Sequence, residues 1–177
     1  ELETLVDKWR DVLDDLQAQS EPPTLVLNAD DPNIAALGRG RRNVVWFGVD
    51  DKSHAIGNRE HAADATTCRH CGAPLNHRVV LVGHLGHWDC PNCDSTRPTP
   101  AVSATKIDLT PHGQQMTLRY PGPAGSPVEL AIASPLPGVH NSYNIVAAFA
   151  ASWALADRTS RPQQAPAVAR VMAETKP

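Results

Sequence analysis

The apolar positions at the start of the chain predict a helix followed by a βαβ unit. Residues 2–16 carry apolar side chains at helical spacing with charged residues between them, which indicates an amphipathic helix. The apolar runs TLVLNA (residues 24–29) and NVVWFGV (residues 43–49) are typical of strands that are covered on both faces. A short helix begins between them at Asp31-Pro32. Strand, helix and strand at this spacing predict a parallel sheet.

Alternating apolar and polar residues later in the chain predict antiparallel strands joined by turns. The three segments are AVSATKIDLT, QQMTLRY and VELAIAS, at residues 101–110, 114–120 and 128–134. An Ala-rich helix is expected from about residue 140 to residue 156, and a last short helix over residues 165–174, after a linker at residues 159–164. The whole pattern predicts an α/β fold with a partly parallel sheet and additional antiparallel strands.

The composition is typical of a globular domain, and it is informative mainly about the classes of protein that it disfavours. Apolar residues make up 41% and charged residues 20% of the 177, so we expect a substantial core. The net charge of −3 disfavours nucleic acid as a partner. The longest apolar run near the C-terminal end, IVAAFAASWALA, has 12 residues and is too short to span a bilayer. Because the sequence starts without a Met and directly in a helical pattern, we expect it to belong to a longer protein.

Between about residues 50 and 100 the periodicity is lost, and this segment holds every cysteine of the chain. Cys68, Cys71, Cys90 and Cys93 form two C-x-x-C pairs with 18 residues between the pairs. A tight turn lets each pair present both sulfurs to one ion, and the spacer HRVVLVGHLGHW can form a short hairpin. This spacing predicts a zinc ribbon whose four thiolates close the coordination sphere, so that the metal is structural and not catalytic.

Two other interpretations of the cysteines are weaker. Disulfides suit small secreted scaffolds, which a chain of 177 residues with four cysteines does not resemble. A thioredoxin-like redox site needs a single C-x-x-C on a βα unit, whereas two pairs lie here in a segment rich in Gly and Pro. The histidines at positions 70, 77, 84 and 87 are expected to be exposed loop residues.

Polar residues follow the first predicted strand, at the edge where open α/β sheets bind ligands. This segment is Asn28-Ala29-Asp30-Asp31-Pro32. Asn28, Asp30 and Asp31 either lie beside a nucleotide or have a capping role. For Asp31 the sequence favours a cap on the helix that Pro32 begins, and the role of Asp30 stays open.

A second group of polar residues lies at the start of the Ala-rich helix. Asn141 and Asn144 are three positions apart, which places both amides on one helical face, and His140 precedes them. A carboxamide offers a donor and an acceptor, as recognition of an adenine edge requires. The alternative is that Asn141 only caps the helix. No Walker-type phosphate loop or dinucleotide-binding fingerprint occurs in the chain.

Together these motifs resemble the MurT family, the Mur-ligase-like subunits of lipid II isoglutaminyl synthase. The resemblance follows chain order, through TLVLNADDP, VVWFGVD, the two C-x-x-C pairs with HLGHWDCPNC, RPTP and PGVHNSYNIVAAFAA. NADDP and HN-x-x-N are shared with Mur ligases broadly, and the inserted ribbon is what points to MurT. The resemblance implies a Mur-ligase-type central ATP-binding domain formed by residues 1–57 and 105–177, with residues 58–104 as the zinc-ribbon insertion.

The resemblance also implies part of an ATP-dependent amide ligase of peptidoglycan synthesis. In this family ATP phosphorylates the α-carboxyl of D-glutamate in the lipid II stem peptide, and ammonia from a GatD glutaminase partner converts the acyl phosphate into D-isoglutamine. By position, Asn141, Asn144 and His140 match the adenine site, and the four cysteines match the zinc ligands. Such an enzyme acts in the cytoplasm at the inner face of the membrane. The family's phosphate loop, Mg²⁺ ligands and C-terminal domain fall outside these residues, so the isolated chain is expected to be inactive.

A hypothesis from a different class is a zinc-ribbon module that binds nucleic acid or protein. Basic residues favour it, at positions Arg39, Arg41, Arg42, Arg59, Arg69, Arg78 and Arg97. Against nucleic acid, the ribbon offers only Trp88 for base stacking, and the net charge is negative. The arginines are more simply explained as solvated surface residues.

Overall fold

A computed structural model describes residues 2–57, 65–122 and 125–158, which form a mixed α/β fold. The elements in chain order are α1 (Leu2–Gln17), β1 (Leu25–Asn28), α2 (Pro32–Gly38), β2 (Val44–Val49), β3 (Asn76–Val82), β4 (Leu85–Asp89), β5 (Val102–Thr110), β6 (Gly113–Pro121), β7 (Pro127–Ser134) and α3 (Val139–Arg158). These elements agree with the predicted ones to within a few residues. The predicted helix at residues 165–174 and the linker before it lie outside the described residues.

One five-stranded sheet in the order β1-β2-β5-β6-β7 contains both the parallel and the antiparallel strands. The strand β1 pairs with β2 in parallel, and β2 pairs with β5 in parallel. The remaining pairs, β5 with β6 and β6 with β7, are antiparallel. Parallel neighbours require a crossover connection, and the one between β2 and β5 contains the cysteine segment. The sequence pattern predicted both kinds of pairing but not that β5 joins them into one sheet.

The main core lies between the sheet and α3. Phe149 and Val146 of α3 are fully buried against Leu118, Val102 and Val49 of the strands. Residues of the β3–β4 hairpin also reach this core, with Leu81 buried in it and Val79, Val82 and Leu85 packed at its edge. No helix in the described part of the chain is long and apolar enough to cross a membrane.

Helix α1 has two apolar faces, and the structure covers only one of them. Val6 and Leu13 are buried in a small cluster with Leu37 of α2 and Leu25 of β1. On another face Leu5, Trp9 and Val12 are each about half exposed, at 52%, 53% and 48%. The amphipathic pattern predicted the helix but did not separate these two faces.

Candidate functional site

Four sulfur atoms converge at the base of the β3–β4 hairpin. The Sγ atoms of Cys68, Cys71, Cys90 and Cys93 lie within 4.8 Å of one another. The Cys68–Cys93 separation is 3.7 Å and the Cys71–Cys90 separation is 3.5 Å. A tetrahedral ion with bonds of about 2.3 Å to sulfur places its ligands about 3.8 Å apart. All four thiols are free, and the donor set therefore fits a metal ion such as zinc.

The two C-x-x-C pairs have matching backbone turns. The Cys68 N–H donates to the carbonyl of Ala73, and the Cys90 N–H donates to that of Ser95, each at 2.8 Å. Burial raises the pKa of the Cys68 thiol, but hydrogen bonds from the backbone N–H groups of His70 and Cys71 outweigh this effect and lower the pKa to about 6. Burial raises the pKa of the Cys90 thiol to about 11. The first turn thus favours the thiolate at Cys68, whereas burial favours the neutral thiol at Cys90 in the absence of a metal ion.

The hairpin above the cysteines packs on the carboxyl ends of β1 and β2. The Gly86 N–H donates to the Asp30 carbonyl at 3.0 Å, and the indole N–H of Trp88 donates to the Ala29 carbonyl at 3.1 Å. The ring nitrogen Nε2 of His87 lies 2.9 Å from the Val49 carbonyl oxygen. Open α/β sheets bind ligands at this edge. The ribbon therefore covers part of the expected ligand-binding edge of its own sheet.

Two of the histidines expected in exposed loops are partly buried between the ribbon and the sheet. His87 lies on β4 against Val49, and His84 lies 3.2 Å from the Asp31 carboxylate. The prediction for these two was wrong because the hairpin packs on the sheet and does not project into solvent. The prediction was also wrong for His77, which lies in β3, is only partly exposed and contacts the Ala65 carbonyl. His70 is exposed, as predicted.

The Asp30 side chain, which is 0% exposed, joins three parts of the fold. Its carboxylate accepts hydrogen bonds from the Val49 N–H at 2.9 Å, from the Tyr143 hydroxyl at 2.6 Å and from Arg97 Nε at 2.6 Å. Burial raises the pKa of Asp30, and the charge of Arg97 and the hydrogen bond from Tyr143 act in the opposite direction. Burial and the neighbouring Asp30 charge raise the pKa of Tyr143, so its hydroxyl stays a donor.

Arg97 enters this network from the ribbon, four residues after Cys93. Its side chain is only 13% exposed and pairs with Asp50, just beyond β2, at 3.0 Å as well as with Asp30. Asp50 pairs in turn with Arg119 of β6 at 2.8 Å. A Cβ added at Gly48 would lie 2.6 Å from Asp30 Oδ1 and 2.9 Å from the Arg97 guanidinium. Because Gly48 has no side chain, the sheet has space for the buried Asp30–Arg97 ion pair at this position.

Asp31 and Asn28 have local structural roles at the end of β1. The Asp31 carboxylate caps α2 by accepting hydrogen bonds from the N–H groups of Asn33, at 2.8 Å, and Ile34, at 3.3 Å. The Asn28 side-chain oxygen accepts a hydrogen bond from the Asp30 N–H at 2.9 Å. Both contacts shape the turn that carries Asp30 into the interior.

The polar residues at the start of α3 are more accessible. His140 and Asn144 are exposed, and Asn141 is half-buried. Asn141 lies within the first turn of a helix that begins at Val139, and its amide donates to the Pro137 carbonyl at 2.7 Å, so it is not the N-cap. The Asn144 amide makes one long contact, 3.4 Å, to the Asn141 oxygen. Of the two carboxamides, that of Asn144 is more available to a ligand.

Tyr143 and Arg97 are the functional candidates that sequence reasoning missed. Tyr143 lies inside the quoted motif HNSYN, and its hydroxyl bonds to Asp30 of NADDP, so the two motifs are in direct contact. Arg97 was grouped with solvated arginines, and the structure instead buries it. Two signals were available, the place of Arg97 in the segment RPTP and its nearness to Cys93 in sequence.

The structure also shows the burial and the ion-pair partners of other residues that were considered for partner binding. Trp88 is 5% exposed, so its ring is not available for stacking on a base. Arg39 pairs with Asp94 at 2.6 Å, and Arg41 pairs with Asp14 at 2.7 Å. Arg59 lies outside the described residues.

No family model matches this chain. The chain is 25% identical over 125 residues to the lipid II isoglutaminyl synthase (glutamine-hydrolyzing) subunit MurT of Staphylococcus aureus strain COL, and to that of strain N315. The matched region covers 71% of this chain and 26% of each MurT subunit. The chain thus spans about a quarter of the length of these relatives.

Proposed function

We propose that this chain is part of an ATP-dependent carbon–nitrogen ligase subunit of the MurT type. Its reaction would be amidation of the α-carboxyl of D-glutamate in the lipid II stem peptide, through an acyl phosphate, with ammonia from a GatD-like glutaminase. The observation that carries the proposal is the similarity to MurT subunits over 71% of the chain. The convergence of four cysteine sulfurs on one point supports it.

Within this proposal, residues 1–57 and 105–177 belong to a Mur-ligase-type ATP-binding domain, and residues 58–104 form a zinc-ribbon insertion. Cys68, Cys71, Cys90 and Cys93 would hold the zinc ion. The ion, when bound, supplies a closed structural cross-link and no open coordination position. The ribbon then holds Gly86, Trp88 and Arg97 against the strand ends.

Asn144 and Asn141 would recognise the adenine edge of ATP, with His140 beside it. The exposed Asn144 carboxamide can offer both a donor and an acceptor, which supports this assignment. Asn141 already donates to Pro137, so it would contribute mainly by orienting Asn144 through its oxygen. The Asp30 carboxylate is fully enclosed by hydrogen-bond donors of the protein, so it would not touch nucleotide. It would support the nucleotide site through its hydrogen bond with Tyr143 of α3.

The test is adenine-nucleotide binding by the full-length protein, measured by calorimetry with ATP and Mg²⁺. We expect Asn144→Ala to weaken binding by about tenfold or more, because two hydrogen bonds to a buried base edge are lost. Asn141→Ala is expected to have a smaller effect. The matched control is Ser152→Ala on the same helix, whose hydroxyl bonds only to the Ala148 carbonyl of its own helix.

Amidation is tested by adding lipid II, glutamine and the glutaminase subunit, and by following D-isoglutamine with mass spectrometry. Full-length protein that binds ATP should form it, and the 177-residue chain alone should turn over no ATP. Absence of nucleotide binding by the full-length protein would contradict the proposal. Salt-sensitive binding to oligonucleotides would support the nucleic-acid module instead, against which the burial of Trp88 already counts.

A further inference from the structure

A chain of direct contacts runs from the cysteine cluster to the start of α3. Arg97 follows the last cysteine by four residues, and its N–H donates to the Trp88 carbonyl of the ribbon at 3.0 Å. Its guanidinium bonds to Asp30, and Asp30 accepts the hydroxyl of Tyr143. Tyr143 immediately precedes Asn144 on α3.

The physical basis of the coupling is the buried charge of Asp30. A carboxylate that is fully removed from water is destabilising unless it is paired and hydrogen-bonded. Among the described residues, Arg97 is the cation that pairs with Asp30, and Val49 and Tyr143 supply neutral donors. If Arg97 moves, the carboxylate loses its only opposite charge, and the turn of α3 that holds Tyr143 loses a well-oriented partner.

Arg97 depends for its position on the ribbon. The residues between Cys93 and Arg97 are held by the second cysteine turn, in which Cys90 bonds to Ser95, and by a contact of the Thr96 hydroxyl with the Trp88 carbonyl at 3.4 Å. A metal ion on the four sulfurs would close that turn. Without the ion, the segment before Arg97 is held by these hydrogen bonds and by the contacts of Arg39 with Asp94 and Ser95, which lie at the surface.

We infer that Arg97 is a positioning residue that links metal binding at the four cysteines to adenine-nucleotide affinity at the first turns of α3, through Asp30 and Tyr143. The inference rests on the proposed function for its nucleotide ligand. Arg97 touches no substrate in this scheme. It holds the Asp30–Tyr143 pair, and that pair sets the orientation of the turn that presents Asn144.

The experiment uses the full-length protein and two readouts. The first is the dissociation constant for ADP, and the second is amide hydrogen exchange of residues 139–146, which needs no nucleotide. Each is measured for metal-loaded protein, chelator-treated protein and the variants Arg97→Gln, Tyr143→Phe and Arg78→Gln. Arg78 is the matched control because it is a ribbon arginine whose side chain is 71% exposed and pairs with Asp89 of the same hairpin.

We expect Arg97→Gln and Tyr143→Phe each to weaken ADP binding about tenfold and to increase exchange in residues 139–146, with bound metal unchanged. Chelation should produce the same two changes in the wild type and little further change in Arg97→Gln. Arg78→Gln should leave both readouts as in the wild type. The charge-neutral pair Asp30→Asn with Arg97→Gln should recover part of the loss seen in Arg97→Gln alone, because it removes the unpaired buried charge.

Unchanged exchange and unchanged ADP affinity after chelation, or in Arg97→Gln and Tyr143→Phe, would overturn the inference while leaving the proposed function intact. A wild type that binds no adenine nucleotide would overturn the proposed function and the nucleotide half of the inference together. In that case increased exchange at residues 139–146 upon chelation would still support the structural link from the metal to α3.

Discussion

The sheet and the cysteine end of the ribbon are stabilised in different ways. The sheet buries a continuous apolar cluster against α3, with Phe149, Leu118 and Val49 at its centre. The cysteine end buries only a small cluster, in which Leu75 and Trp88 pack with Ala35 of α2 and the cysteines themselves. A region with so little apolar area cannot offset its own ordering entropy, so we expect it to depend on a metal ion at the four cysteines and on its contacts with the sheet.

The hairpin tip is intermediate between these two regions. Leu81 belongs to the main core, although it lies on the same hairpin as the cysteine turns. Apolar burial therefore attaches the ribbon at its tip, and a metal ion on the four cysteines would attach it at its base. Because its tip packs in the main core, the ribbon is not expected to unfold wholly independently of the sheet. The following substitutions test how independent the two regions are.

The largest effect is expected from loss of the metal. Structural zinc sites in peptides bind with about 10–16 kcal/mol, and Cys90→Ser removes one of the four thiolates that provide this energy. We expect the variant to lose bound zinc and the hydrogen-exchange protection of the two cysteine turns, while the inner strands and the part of α3 beyond residue 146 stay folded. Arg78→Gln, which changes an exposed side chain of the same hairpin, is the control. A metal-free protein with fully protected cysteine turns would refute the comparison.

A smaller effect is expected from a cavity in the main core. Phe149 is 1% exposed and packs edge-to-face on Tyr120 with ring centroids 5.0 Å apart. Phe149→Ala should lower the free energy of unfolding by about 3–5 kcal/mol, measured by urea denaturation. Because zinc ligation does not involve this residue, one zinc per chain should still bind. Loss of zinc together with the sheet would show that the two regions fold as a single unit.

The smallest of the three effects is expected where the regions meet. Gly48→Ala places a methyl group against Asp30 and Arg97, and such overpacking typically costs about 1–3 kcal/mol. Gly57→Ala is the matched control, because a Cβ there meets no atom of the described residues within 4 Å. Thermal unfolding of both variants measures the difference. Equal stability of the two would mean that the Asp30–Arg97 pair tolerates displacement, contrary to the structure.

The periodicity of apolar and polar residues was sufficient to predict most of the secondary structure. The Pro-initiated helix α2 with Asp31 at its cap, the buried runs β1 and β2, and the alternating strands β6 and β7 follow from local patterns. The cysteine spacing was likewise informative, since two C-x-x-C pairs leave few ways to arrange four sulfurs. These features are local because each depends on residues within a few positions of one another.

Residues whose partners are distant in sequence were harder to interpret. Arg97 and Arg78 look alike in the chain, yet one is 13% exposed on Asp30 and the other is 71% exposed beside Asp89. Asp30 was left undecided between nucleotide and cap, and the structure gives it a third role beneath α3. No local pattern distinguishes these outcomes, because the deciding contact for Asp30 lies 113 residues away.

The amino-acid sequence alone therefore determined which segments become helices and strands and which four side chains can meet at one ion, since backbone propensity and short spacings act over a few residues. Only the folded chain decided that β5 completes the sheet, that the ribbon packs on the strand ends, and that Arg97 neutralises Asp30. Those outcomes depend on which surfaces become buried together, and burial is a property of the whole tertiary structure.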